Sequence, residues 1–296
     1  MGNNVEEPIF GRLLTAMVTP FGADGGIDHG AAARLASHLV DELGHDGLVI
    51  NGTTGESPTT SDAEKAALLR TVVDAVGDRA SIVAGVGTFD TRHSVQLAGE
   101  AAEAGADGLL VVTPYYSRPP VDALEAHFAT VADATDLPVM LYDIPHRSGI
   151  PIPEDSLIRL ADHPRIAAVK DAKGDISSSS VVLSRTTLAY YAGDDAYLLP
   201  LLAVGGVGVV GTSTHFTGLQ AREIIDAFVG GDPERARRVN DQALAAFRGV
   251  FAAQGTMMVK AALNRRGFAV GQCRPPMGTV PPEVVETFLR ILEQTL

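Results

Sequence analysis

Lys170 has the most reactive setting of any residue in the sequence. It ends the apolar run Ile166-Ala167-Ala168-Val169. An ammonium group taken out of water loses hydration, so its pKa falls. The free amine that results can attack a ketone. A lysine that snorkels to solvent, or pairs with Asp171, is the plainer alternative. Tyr142 closes a second apolar run, and its hydroxyl can pass a proton once its neighbours set its pKa. Five residues on, Arg147 offers a planar fork that suits a carboxylate. Its plain alternative is a surface ion pair. The segment Asn51-Gly52-Thr53-Thr54-Gly55-Glu56-Ser57 brackets two hydroxyls with glycines. Such a turn can aim hydroxyls and backbone N–H groups at a carboxylate, or it can simply cap a helix. Tyr115 and Tyr116 end another run, where packing is the plainer explanation. Gly193 and the glycines 205, 206, 208 and 211 permit close approach of a ligand or of a helix.

These residues need strands that deliver them to one end of a sheet. Apolar, β-branched runs lie at Leu13–Thr19, Leu48–Gly52, Ile82–Gly85, Gly108–Thr113, Pro138–Tyr142, Ile166–Lys170, Leu188–Gly193 and Val207–Gly211. Segments of helical period separate them. Leu35, Leu39, Val40 and Leu43 share one face of the first, and Ile224, Ile225 and Phe228 share one face of the eighth. Ser61 and Glu64 form a capping-box pattern. Short strands of continuous apolar character belong to parallel sheets buried on both faces. Eight strand-helix units in a row predict a (β/α)8 TIM barrel, an α/β fold, over residues 10–231. A doubly wound sheet is the rival, but Thr19-Pro20-Phe21-Gly22 after the first strand is no phosphate-binding loop. Residues 232–296 read as a C-terminal helical extension, with helices over 232–254, 256–266 and 282–296. In such a barrel the chemistry sits at the C-terminal ends of the strands. Lys170, Tyr142, Arg147, the hydroxyl turn, the paired tyrosines and Gly193 all fall there.

Composition narrows the partners. The chain of 296 residues is 46% hydrophobic, enough for a large core. Lys and Arg number 23 against 36 Asp and Glu, a formal charge of −13. An acidic surface repels nucleic acid and anionic membranes, so neither is expected as a partner. A small anionic substrate would need a local positive pocket. Cys273 is the single cysteine, so no disulfide forms within the chain. No signal pattern opens the sequence and no apolar run reaches the roughly 18 residues of a membrane span. The expected compartment is the cytoplasm. The eight histidines show no HExxH and no Cys/His cluster, so no metal is expected. His146 and His215 lie near strand ends, where either can touch a ligand.

Three motifs together carry a resemblance: Gly52-Thr53-Thr54-Gly55-Glu56, Tyr142-Asp143-Ile144-Pro145 and Val169-Lys170-Asp171-Ala172. The sequence resembles the dihydrodipicolinate synthase / N-acetylneuraminate lyase family from about Leu14 to the C-terminal helices. The resemblance implies a class I aldolase that needs no cofactor. Lys170 would form a Schiff base with pyruvate, and Tyr142 would shuttle protons. Thr53 and Tyr116 match the relay to Tyr142, with Tyr116 supplied by a neighbouring subunit. Thr54 matches the residue that binds the pyruvate carboxylate. Val210 would lie beside pyruvate, and Gly193 would line the pocket through its backbone. Thr53-Thr54 and Arg147 resemble the synthase branch, which condenses pyruvate with aspartate 4-semialdehyde on the route to lysine through diaminopimelate. Arg147 falls where that branch holds the aldehyde's carboxylate. A homotetramer, built as a dimer of dimers, is implied as well.

The sequence departs from the family in three places. His146 stands where small residues are common. Strand 8 reads Val209-Val210-Gly211-Thr212-Ser213-Thr214-His215. Asp62, Lys65, Phe89 and His93 stand where lysine-inhibited members place histidine, asparagine and glutamate, which implies little feedback inhibition by lysine. The competing readings are an aldolase for sialic acid or a 2-keto-3-deoxy sugar acid, and a keto-acid sensor without turnover. Arg147 argues against the first, because a polyol aldehyde offers no carboxylate. The intact Lys170, Tyr142, Thr53 and Tyr116 argue against the second.

Overall fold

The structure is a computed structural model that describes residues 7–296. Eight parallel strands close a barrel in sequence order. They are β1 (Leu13–Ala16), β2 (Gly47–Ile50), β3 (Ser81–Gly85), β4 (Gly108–Val112), β5 (Val139–Asp143), β6 (Ile166–Asp171), β7 (Ala189–Ala192) and β8 (Gly208–Gly211). A helix follows each strand, from His29–Ser37 after β1 to Thr214–Val229 after β8. The expected TIM barrel is present. Each strand is close to its expected place, with ends moved by one to three residues. The largest shift is at β1, which stops at Ala16; Met17 N–H still bonds the Val49 carbonyl at 3.0 Å, at the rim of the barrel.

Alternation along the strands makes two cores. Leu14, Ala16, Val49, Val83, Leu110, Met140, Ala168, Tyr191 and Val210 pack together inside the barrel. Their neighbours Leu13, Leu48, Ile82, Leu109, Leu141, Val169, Tyr190 and Val209 pack outward with the helices. Residues of one parity share a face of a strand, so both faces must be apolar.

One irregularity decides what β6 presents. Val139 pairs with Ile166, but Met140 pairs with Ala168, leaving Ala167 as an extra residue. A single inserted residue flips the facing of everything after it. It places Ala168 and Lys170 on the inward row, opposite Met140 and Tyr142.

The helix after β2, Asp62–Val76, opens with the expected capping box: Ser61 Oγ accepts from Glu64 N–H at 3.3 Å, and Glu64 Oε2 accepts from Ser61 N–H at 2.8 Å. Three more helices follow the barrel: Pro233–Gly249, Gly255–Arg265 and Pro282–Thr295. The first ends earlier than expected. Gln254 instead opens the next helix, its side chain accepting from Met257 N–H at 3.1 Å. Phe288 of the last helix packs edge-on against Phe216, 5.7 Å between ring centres, which seats the extension on the barrel. No helix among the described residues is long and apolar enough to cross a membrane.

Candidate active site

Tyr142 and Lys170 are register partners on adjacent strands. Both point inward at the C-terminal end of the barrel. The Lys170 ammonium lies 4.4 Å from the centre of the Tyr142 ring. Lys170 is buried, 4% exposed. Burial pulls its pKa down to about 8; the Asp195 carboxylate pushes back up and the Arg147 cation adds to the fall. Burial raises Tyr142 to about 12, against the pull of Arg147 and of the neighbouring Thr53 hydroxyl. Near neutral pH the phenol therefore stays protonated, a donor beside an amine that sheds its proton readily.

A cavity of about 290 Å³ opens above this pair. Thr53 and Thr54 line it from the β2 turn, His146 and Arg147 from β5, and Gly193 and Asp194 from β7. A second cavity of about 230 Å³ adjoins it and includes Tyr115. Thr53, Tyr142 and Arg147 line both, so they stand at the junction. The loop that carries Arg147 begins with a one-turn helix, Pro145–Ser148. Pro145 suits the first position of a helix, and Gly149 ends the turn in a left-handed conformation.

Two expected residues sit elsewhere in the single chain. Tyr116 is 93% exposed and does not line the Lys170 cavity. Val210 is fully buried in the barrel interior, and Thr212, two residues further, lines the cavity in its place. His215 has a structural task. Its Nδ1 bonds the Thr212 carbonyl at 2.8 Å, and its Nε2 accepts from Val18 N–H at 3.2 Å. Burial lowers its pKa to about 4, so it stays neutral.

Sequence reasoning missed three features. Asp195 is fully buried and takes hydrogen bonds from Thr212 N–H (3.0 Å) and Ser213 Oγ (2.7 Å). Burial pushes its carboxyl above the usual carboxylate range, against the pull of these two bonds, and in its ionised form it raises the Lys170 pKa. The only signal was an Asp-Asp pair at a strand end, which does not say which member turns inward. Phe251, Gln254, Gly255 and Thr256 of the extension form a wall of the cavity. Finally, Asp143 and Asp171, register partners just past the reactive pair, anchor the two loops above it. Asp143 accepts from Ile152 N–H at 3.1 Å and faces Lys173 Nζ at 3.5 Å, while Asp171 binds the Ser179 hydroxyl.

A buried amine at the end of a barrel strand, a phenol beside it and a hydroxyl turn facing it are a setting for imine chemistry with a keto acid. Known proteins agree. The Dihydrodipicolinate synthetase family pattern matches residues 9–295. The chain belongs to that family. It is 59% identical over 288 residues to the 4-hydroxy-tetrahydrodipicolinate synthase of Cutibacterium acnes, covering 97% of this chain and 98% of that one. It is 60% identical over 276 residues to the enzyme of the same name from Acidothermus cellulolyticus, covering 93% and 89% of the two chains. Among solved structures, the dihydrodipicolinate synthase of Cyanidioschyzon merolae with lysine bound superimposes with a TM-score of 0.95. That chain is 38% identical, over 98% of this chain and 99% of that one. The synthetase family membership thus covers the barrel and the extension alike.

Proposed function

We propose that this chain is a lyase that condenses pyruvate with L-aspartate 4-semialdehyde to 4-hydroxy-tetrahydrodipicolinate, in lysine biosynthesis through diaminopimelate. The registered pair Tyr142–Lys170 in a cavity shared with Thr53, Thr54 and Arg147 carries the reading.

The free Lys170 amine attacks the ketone carbon of pyruvate. Tyr142 gives a proton to the departing hydroxyl, and water leaves. The positive imine draws electrons from the methyl group, which loses a proton and becomes the enamine carbon. That carbon bonds to the aldehyde carbon of the second substrate, whose oxygen takes up a proton. The amino group of the second substrate then displaces Lys170, which closes the ring and frees the enzyme. Thr54 and the N–H groups of its turn hold the pyruvate carboxylate. Arg147 at the cavity mouth holds the carboxylate of the aldehyde. Asp195 lies where it offsets the positive charge of the imine. Orienting both substrates supplies much of the rate.

Thr53 lines the same cavities as Tyr142 and lowers its pKa, and a relay through it needs a further hydroxyl to pass the proton outward. We assign that place to Tyr116 of a second copy. Tyr116 and Phe89 are both exposed large aromatics, at 93% and 60%. Tyr116 also holds a left-handed backbone, φ 75°. A strained, solvent-facing aromatic is better explained by a partner than by solvent. A homotetramer of paired dimers supplies one. The lone cysteine suits a reducing, cytoplasmic setting.

The test is turnover coupled to NADPH oxidation by the reductase that consumes the product. Signal that needs pyruvate, aspartate 4-semialdehyde and Lys170 supports the reading. No signal alongside a trapped pyruvate adduct would reassign the acceptor to a sugar-type aldehyde.

A further inference from the structure

Glu56 ends the turn that carries Thr53 and Thr54, and no step above uses it. Its backbone is left-handed, φ 59°. Its side chain forms an ion pair with Lys260 at 2.6 Å, and both side chains are 2% exposed. The other carboxylate oxygen accepts from Arg274 N–H at 2.9 Å. Lys260 and Arg274 both belong to the C-terminal extension. Their cations lie over the Phe21 ring, 4.1 and 4.2 Å from its centre, in the loop after β1. Arg274 also donates to the Gly25 carbonyl (2.6 Å) and the Thr59 carbonyl (2.7 Å). The buried Glu56–Lys260 pair and the part-exposed Arg274 therefore tie the loops after β1 and β2 to the extension.

As a source of stability this is a poor arrangement. Removing two charges from water offsets most of their attraction, and apolar side chains of the same shape would do as well. A left-handed glutamate costs about 1–2 kcal/mol more. Such costs persist where the surroundings fix a geometry that matters. Here the geometry is that of the hydroxyl turn. Glu56 N–H bonds the Thr53 carbonyl at 3.2 Å, and Ser57 N–H bonds the Gly52 carbonyl at 3.3 Å. The turn is closed on itself, so a rotation at Glu56 moves Thr53 and Thr54 together.

We propose that the Glu56–Lys260 ion pair is a positioning strut through which the C-terminal extension sets the Thr53-Thr54 turn against Lys170. Glu56 and Lys260 are positioning residues for the keto-acid carboxylate. The proposal rests on the reading of Thr54 as the seat of that carboxylate.

The full-length variants Glu56→Gln, Glu56→Gln/Lys260→Met and Thr54→Val test it by steady-state kinetics in both substrates and by thermal melting. Glu56→Gln keeps the shape and the acceptor for Arg274 but removes the charge. The pyruvate KM should rise roughly tenfold or more, as expected of a turn displaced by a fraction of an ångström. The aldehyde KM and kcat at saturating pyruvate should change far less. The double variant should be no worse than the single one, because both break the same link. It also leaves no buried charge unpaired, so it is read if Glu56→Gln does not fold. A wild-type pyruvate KM in these variants, with Thr54→Val raised, overturns the strut and leaves the seat standing. No rise in any of the three overturns both. A pair that cannot be removed in either form without unfolding is an element of stability, which also overturns the positioning role.

Discussion

At the residue scale the account turns on one amine. A lysine in water titrates near 10.4. Burial holds Lys170 at about 8. The initial rate of imine formation with pyruvate should therefore rise with pH to a plateau, half-maximal near 8, read by borohydride trapping at short times. A midpoint near that of an ordinary lysine would remove the desolvation argument. The same shift has a sign in stability. Below about pH 8 Lys170 is protonated in folded and unfolded chain, so the cost of burying its charge is fully present. As pH rises from about 8 towards 10.4 the folded chain gives up its proton first, and that cost disappears. Asp195 works in the opposite direction on the amine. Burial raises the pKa of Asp195 itself, so it acts on the amine in its ionised form; Asp195→Asn removes that form, so the trapping midpoint should move below 8 and the plateau rate should fall by roughly ten- to a hundredfold. An unmoved midpoint would free Lys170 from Asp195. Lys170 and Tyr142 were legible because each ends an apolar run, a place where a polar side chain needs a reason. Asp195 was not, because its inward turn depends on where Thr212 and Ser213 arrive from another strand.

At the element scale the barrel was legible and its parity was not. Eight apolar runs separated by helical periods specify strands and helices, since each element must bury a face. Strand ends moved because the apolar pattern does not mark where hydrogen bonding stops. Pro138 lacks an N–H, so β5 begins at Val139, and Asp143 and Asp171 extend two strands beyond their apolar residues. The extra Ala167 in β6 has no sequence signal at all, yet it puts Lys170 inside the barrel. Gly211, at the end of β8, lies against Asp195 in the turn after β7 and Thr214 in the helix after β8. A methyl group there would lie 2.6 Å from Asp195 Oδ1 and 2.5 Å from Thr214 Cγ2. Gly211→Ala should thus cost about 1–3 kcal/mol of stability by overpacking. It should also slow turnover more than its melting shift explains, because Asp195 must move. Wild-type rates in a folded Gly211→Ala chain would show that the position of Asp195 is not critical.

At the scale of the whole molecule, the proposed role of the exposed Tyr116 in a second copy's site would make catalysis a property of more than one copy. Lys170→Ala and Tyr116→Phe each disable a different partner's contribution. Mixed under conditions that let subunits exchange, the two inactive variants should regain up to about a quarter of wild-type activity if they pair at random in dimers, the arithmetic of a symmetric interface. Mixtures as inactive as their parts would place Tyr116 outside the site. The same face bears on regulation. Asp62 pairs with His93 at 3.0 Å and with Lys65 at 3.7 Å, while Phe89 packs edge-on against Tyr115. An incoming lysine would meet two basic groups whose acid is already taken. Turnover should stay unchanged at physiological lysine; half-maximal inhibition there would contradict the account. The extension was legible as helices, but its reach back to Glu56 and the cavity wall was not, because contacts across more than 200 residues leave no local pattern.

The most direct test of the central claim is borohydride reduction in the presence of pyruvate, followed by peptide mass analysis. The account predicts one reduced pyruvyl adduct, on Lys170, that is lost in Lys170→Ala. No adduct, or an adduct on another lysine, would contradict it.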